Sequence, residues 1–215
     1  MSGEPVCFLH AADFHLEQPG AVSLEMPDAF RDQLQEAPYR AAERVVDLAL
    51  AHRVQFVVLS GDLLDPTWTG PRGPLFLVEQ FRRLADAGIS VYWVGGQADP
   101  PELWPSLLKL PDNVHWFCRS KPQTQLHEHN GIPVARLVGA SRHKGRKLRP
   151  RDFRQQPGDL PTIAIAYGRA DPEQLHVERV DYWALGGRHQ RSTGRRQSAM
   201  IHYPGTPQGR GPDEP

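Results

Sequence analysis

Cysteine is scarce in this chain: Cys7 and Cys118 are the only two in 215 residues. They cannot form the framework of a small secreted domain, and neither has the C-x-x-C spacing of a metal clip. Both stand in or beside apolar runs, PVCFLH and VHWFCR, where buried free thiols are expected. No apolar run reaches the length of a membrane span, and only a short hydrophobic stretch separates Glu4 from Asp13, too little for a signal peptide. The expectation is a cytoplasmic protein without a membrane partner. There is no internal repeat and no low-complexity tract beyond one basic loop. Net charge is absent as well, with 25 Lys and Arg against 25 Asp and Glu. Proline, by contrast, is plentiful: its 21 residues are about twice the usual share of ~5%, which points to long, stiffened loops. With 39% hydrophobic and 23% charged residues, the chain reads as an ordinary globular protein with one core, a single domain over 1–215.

The zero balance hides a polarity. Residues 1–100 carry 7 basic and 14 acidic side chains, whereas residues 101–215 carry 18 and 11. The positive excess is concentrated in RHKGRKLRPRDFR (142–154) and RHQRSTGRR (188–196). An acidic half suits a cation. A basic flank suits a phosphate polyanion, or else is a solvated arginine-rich loop.

Patterning in the first half alternates strand and helix. PVCFLH, VQFVVLSGD and ISVYWVGG read as strands; the β-branched run of the second marks a strand covered on both faces. APYRAAERVVDLALAHR has apolar residues at helical spacing and follows a Pro/Gly-rich loop over 17–38, and GPLFLVEQFRRLADAG reads as a helix capped by Gly88. After Pro105 come shorter strands with little helix: NVHWFC, IPVARLVGAS, LPTIAIAYG, VDYWALGG and SAMIHYPG. Parallel pairing is implied for the first half and a second, packed sheet for the remainder. The chain closes in HYPGTPQGRGPDEP with no final strand or helix, so it is expected to be a truncated piece of a longer protein.

The chemistry-bearing residues follow strands. FLHAADFHL holds Asp13 and His15, one residue apart in a bend, where a carboxylate and an imidazole can converge on Mn, Fe or Zn. SGDLLD holds Asp62 and Asp65, and Asp62 can reach the same point after one helical crossover. His10 reads as a core or supporting residue, Trp93 and Trp183 as core aromatics, and Ser60 as having no partner that would make it a nucleophile. His143 and His202 have no spacing that supports a ligand role.

With WVGGQAD, YWALGGRHQ and YPGTPQGR in the same order, the chain resembles the calcineurin-like metallophosphoesterases, and most closely the SbcD-type DNA repair exonucleases, over essentially its whole length. The resemblance implies a four-layer αββα sandwich of two mixed β-sheets, a two-metal site at the strand ends that typically takes manganese, and phosphodiester hydrolysis. Family members continue past YPG-x-x-Q-x-R into closing strands and a capping region. Asp13, His15, Asp62 and His189 match the four protein ligands of one metal. The second metal fares worse. Where the family has G-N-H-D, this chain has Gly96, Gln97, Ala98 and Asp99; Gln97 keeps an amide oxygen, but Ala98 replaces the histidine that assists proton transfer. Tyr167 stands where a strand-ending histidine is expected, and Gly187 replaces the first histidine of G-H-x-H. The second site is therefore expected to be weak or absent, keeping Asp62 and Gln97. Arg188 is a candidate to bring positive charge to phosphate where the second ion stood, or is a surface turn arginine. Gly205 and Gln208 match a segment near the substrate.

Three functions compete: a metal-dependent phosphodiesterase acting on DNA, with Asp62 and Arg188 as its catalytic candidates; a degenerate homologue that binds nucleic acid or an SMC-like ATPase subunit without cutting; and a phosphoesterase for small substrates.

Overall fold

Residues 5–16, 27–65, 70–143, 148–155, 158–170, 175, 180–209, 211 and 214 are described by the computed structural model. Their strands fall into two sheets packed face to face. The first is wholly parallel, in the order β1 (Phe8–Ala11), β2 (Phe56–Leu59), β3 (Ser90–Trp93), β4 (Val114–Trp116). The second runs β5 (Gln123–His129), β6 (Ile132–Ala140), β7 (Thr162–Tyr167), β8 (Tyr182–Gly186), β10 (Ala199–Tyr203), β9 (Ser192–Arg196). Its four inner strands are parallel, and β5 and β9 pair antiparallel at its edges.

Strand alternation builds three apolar layers. In β2, Val57 and Leu59 face the helices α1 (Asp28–Ala51) and α2 (Arg72–Asp86), while Phe56 and Val58 face the second sheet. Between the sheets these meet Tyr92, Phe117, Leu137, Ile163 and Ile165. The far face of the second sheet buries Trp183, Phe153, Leu185 and Ile201. Trp93, fully buried, stacks on Trp116 with ring centroids 4.4 Å apart. Trp93 and Trp183 are core residues, as expected.

The αββα sandwich is present, with two refinements. Only the second sheet is mixed, and among the described residues its outer layer is one 3-10 turn, Pro150–Phe153, with Leu175. Other local expectations are corrected. Helix α1 begins at Asp28, inside the span read as loop, and carries Pro38 in its interior; the rest of that loop, 17–26, lies outside the described residues. Both cysteines are exposed, because Cys7 precedes β1 and Cys118 follows β4. Residues 192–196 of the basic stretch form an edge strand rather than a loop; residues 144–147 of the other basic stretch lie outside the described residues. No helix among the described residues is long and apolar enough to cross a membrane.

Candidate metal centre

At the carboxyl ends of β1 and β2 the chain turns into two loops that are laced together by backbone hydrogen bonds. Asp13 N–H donates to Gly61 O at 3.0 Å, His15 N–H to Asp62 O at 3.1 Å, and Leu16 N–H to Leu63 O at 3.0 Å. This lacing holds Asp13, His15 and Asp62 in the left-handed region, with φ of 55°, 48° and 52°. Aspartate and histidine visit that region more readily than most residues, yet each such conformation costs roughly 1–3 kcal/mol, and such costs cluster at functional sites. Gly61, at φ 90°, and Gly186 permit the close approach of the sheets: a Cβ on Gly186 would run into the Ser60 carbonyl.

Asp13, His15 and His189 present donor atoms that all lie within 4.8 Å of one another. His15 Nε2 faces His189 Nε2 at 3.2 Å, and His15 Nε2 is 4.0 Å from the Asp13 carboxylate. Asp13 is fully buried and accepts the Gly187 N–H at 2.9 and 3.1 Å from its two oxygens. His189 Nδ1 pairs with Glu214 Oε1 at 2.5 Å, so that its other ring nitrogen, Nε2, is the one turned to His15. One carboxylate and two imidazoles, buried or half-buried and converging, fit a divalent transition ion; a site for Mg or Ca would be all oxygen.

Asp62 is engaged differently. Its Oδ2 accepts the Tyr167 hydroxyl at 2.5 Å and its Oδ1 accepts the Ala98 N–H at 2.8 Å. Asp62 sits beside the cluster but is not one of the three carboxylate and imidazole groups within 4.8 Å. Burial, followed by the charge of Asp62, pushes the Tyr167 hydroxyl far above the ordinary phenol range, so it is a neutral donor. Asp99 locks the loops beneath: Oδ1 accepts Asp62 N–H at 2.9 Å and Gly96 N–H at 2.6 Å, and Oδ2 accepts Leu63 N–H at 2.9 Å. Burial and then Asp62 push Asp99 upward, against the pull of those three N–H groups.

Gln97 is exposed, in the bend beside Ala98. Arg188 is exposed too; it donates to Ser192 Oγ at 3.2 Å and lies 6.0 Å from the Tyr203 ring centroid. It lines the same cleft as His189, while the ring of Tyr167 lies against Gly187. Ser60 does have a partner, the half-buried His10, whose Nε2 lies 2.7 Å away, but Ser60 is fully buried and offers no nucleophile. Burial, then His202, lowers His10 to about 3. His143 bonds Glu102 and the Cys118 carbonyl, and His202 bonds Thr193, away from the cluster. Glu214, Asp99 and the role of Tyr167 were missed from sequence, since only the folded chain brings residues 62, 167, 189 and 214 together.

His189 reaches the wall of a cleft of about 850 Å³, lined also by Arg169, Arg188, Arg195, Arg196 and Glu214, among others; Asp13 and His15 are buried behind it. A second cleft of about 580 Å³, lined by Lys121, Arg142, Arg149 and Tyr167 among others, adjoins it at the Tyr167–Gly187 contact.

No family model matches the chain. It is 30% identical to YhaO of Bacillus subtilis, called an uncharacterized metallophosphoesterase, over 94% of this chain and 53% of YhaO. A shorter match, 37% identical over 44% of this chain and 21% of the relative, is to the DNA double-strand break repair protein Mre11 of Aeropyrum pernix. The chain thus spans about half of YhaO and a fifth of Mre11 in these matches. Two solved structures share the fold: a dimetal phosphatase from Danio rerio, TM-score 0.54, 13% identical, covering 95% of this chain and 88% of that one; and TT1561 of Thermus thermophilus, TM-score 0.50, 14% identical, covering 78% and 84%. The likeness to YhaO, together with the shared sandwich fold and the ligand cluster at the strand ends, supports a metallophosphoesterase of the calcineurin-like superfamily.

Proposed function

We propose that the chain is a metal-dependent phosphodiesterase acting on DNA, with one divalent ion, manganese, held tightly by Asp13, His15 and His189 with Asp62 at its flank. The observation that carries this reading is the converging cluster at the strand ends, one member of which, His189, lines a cleft that presents four arginines. A divalent ion at such a cluster supplies Lewis acidity to a phosphate oxygen. The chain's own residues do the rest. Gly187 N–H and Glu214 hold Asp13 and His189 in place, and the neutral Tyr167 hydroxyl fixes Asp62. Arg169, Arg188, Arg195 and Arg196 offer forked donors to phosphates flanking the reacting one. The DNA assignment is supported by this charge and by the partial likeness to Mre11. An SMC-like ATPase subunit is the protein partner proposed with it, and the cytoplasm the compartment.

A second reading, binding without cutting, is favoured by one specific observation. Ala98 gives the site only a backbone N–H, so no side chain there can protonate a leaving group. Such proton transfer contributes roughly 10²–10⁴-fold. The test is cleavage of end-labelled DNA duplexes and single strands with added Mn²⁺. The proposal expects cleavage that Asp13→Asn abolishes and His143→Ala preserves. Equal loss in both variants would remove the assigned site, and salt-sensitive binding without any cleavage would establish the second reading.

A further inference from the structure

We infer that the phenol of Tyr167 occupies the place a second metal ion would need, and that residue 187 is glycine because that ring is there. This rests on the one-ion reading above and deepens it. The ring is walled by three glycines. A Cβ on Gly61 would come to 2.8 Å from Tyr167 Cδ2, and one on Gly96 to 2.9 Å. A Cβ on Gly187 would meet Cζ, Cε1 and Cε2 at 3.0–3.2 Å, closer than real contacts tolerate without a shift. At Gly61 and Gly96 a Cβ would also strike the Gly96 backbone and Asp62, respectively, so Gly187 is the position where the ring alone is the obstacle, and any side chain there would force the ring to shift.

The hydroxyl completes the exclusion. It donates to Asp62 Oδ2 at 2.5 Å, which fixes that carboxylate against the phenol and keeps the ring seated between Asp62 and Gly187. The other oxygen is taken by the Ala98 N–H. A divalent ion needs several oxygen or nitrogen donors at roughly 2.0–2.6 Å. Here it would meet ring carbons, a glycine and an alanine. A second ion does not fit these residues. Positive charge reaches this side instead from Arg142, whose guanidinium lies 5.7 Å from the Tyr167 ring centroid and lines the second cleft with it.

Two measurements on the whole chain test this. The first is a thermal melting cycle of wild type, Gly187→Ala, Tyr167→Ala and the double variant. The left-handed φ of 88° at Gly187 strains alanine in either background, so only the clash with the ring can differ. The inference expects Gly187→Ala to lower Tm by about 2–4 °C more when Tyr167 is present; equal losses would overturn it. The second is the manganese count per chain by elemental mass spectrometry. One ion in wild type and two in Tyr167→His with Gly187→His support it, and two in wild type overturn it. A count of zero in wild type would defeat the one-ion reading, while the melting cycle would still decide whether ring and glycine are coupled.

Discussion

Asp99 is the most consequential side chain of the site that offers no atom to its clustered donors, and replacing it should separate two variants cleanly. The residue is 3% exposed, and its carboxylate accepts three backbone N–H groups from two loops. In Asp99→Asn the amide oxygen can keep the Asp62 and Gly96 bonds, but the NH₂ then opposes the Leu63 N–H. One buried donor is left unsatisfied, at a cost of about 1–3 kcal/mol. In Asp99→Ala all three donors lose their acceptor, which on the same scale comes to roughly 3–9 kcal/mol before any relaxation or relief of the repulsion with Asp62. Against the roughly 5–15 kcal/mol of a typical domain, the alanine variant should be barely folded. Urea unfolding followed by tryptophan fluorescence reads both. The account expects a modest fall in midpoint for asparagine and at least twice that fall for alanine. Wild-type stability in Asp99→Asn, or equal losses in the two variants, would refute the loop-lock reasoning.

Glu214→Gln replaces the carboxylate that orients His189 and should weaken manganese binding roughly 10–100-fold, read by competition with a metal-sensing dye. Neutralising Arg195 and Arg196 together should weaken DNA binding and flatten its dependence on salt, read by fluorescence anisotropy at several ionic strengths. Acid should destabilise the fold early, because burial holds His10 near 3 and His127 near 4, below the unfolded value of 6.5. Above pH 6.5 both are neutral in either state and contribute no slope. As pH falls below 6.5 the unfolded chain takes up protons that the folded one refuses, so stability drops by about 1.4 kcal/mol per pH unit for each histidine until the folded values are reached. Urea midpoints between pH 7 and 5 measure this, and His10→Gln, which removes one of the two groups, should flatten the slope.

Much of this architecture is legible in residue order because its determinants are local. The run VQFVVLSGD becomes β2 with both faces covered, and Asp62 follows it into the loop, as apolar continuity and a Gly-Asp turn require. Asp13 and His15 were readable as candidate ligands from the bend after a strand, and His189 only through the family resemblance; the fold brings the three together. The misread elements are those whose identity depends on distant partners. QTQLHEH and STGRR are polar and largely exposed, and they are strands only because β6 and β10 offer them unpaired edges. The first turns of α1 are mostly exposed and followed by Pro38, so their apolar signal is faint. Tyr167 read as a lost ligand; that its hydroxyl holds Asp62 depends on a contact 105 residues away in sequence.

The central claim is that Asp13, His15 and His189 form one tight ion site. Titrating the protein with Mn²⁺ while following the free-ion electron paramagnetic resonance signal tests it most directly. The account predicts one tight equivalent per chain, lost in His15→Ala and in His189→Ala and retained in His143→Ala. No tight equivalent in wild type, or one that survives both ligand substitutions, would contradict it.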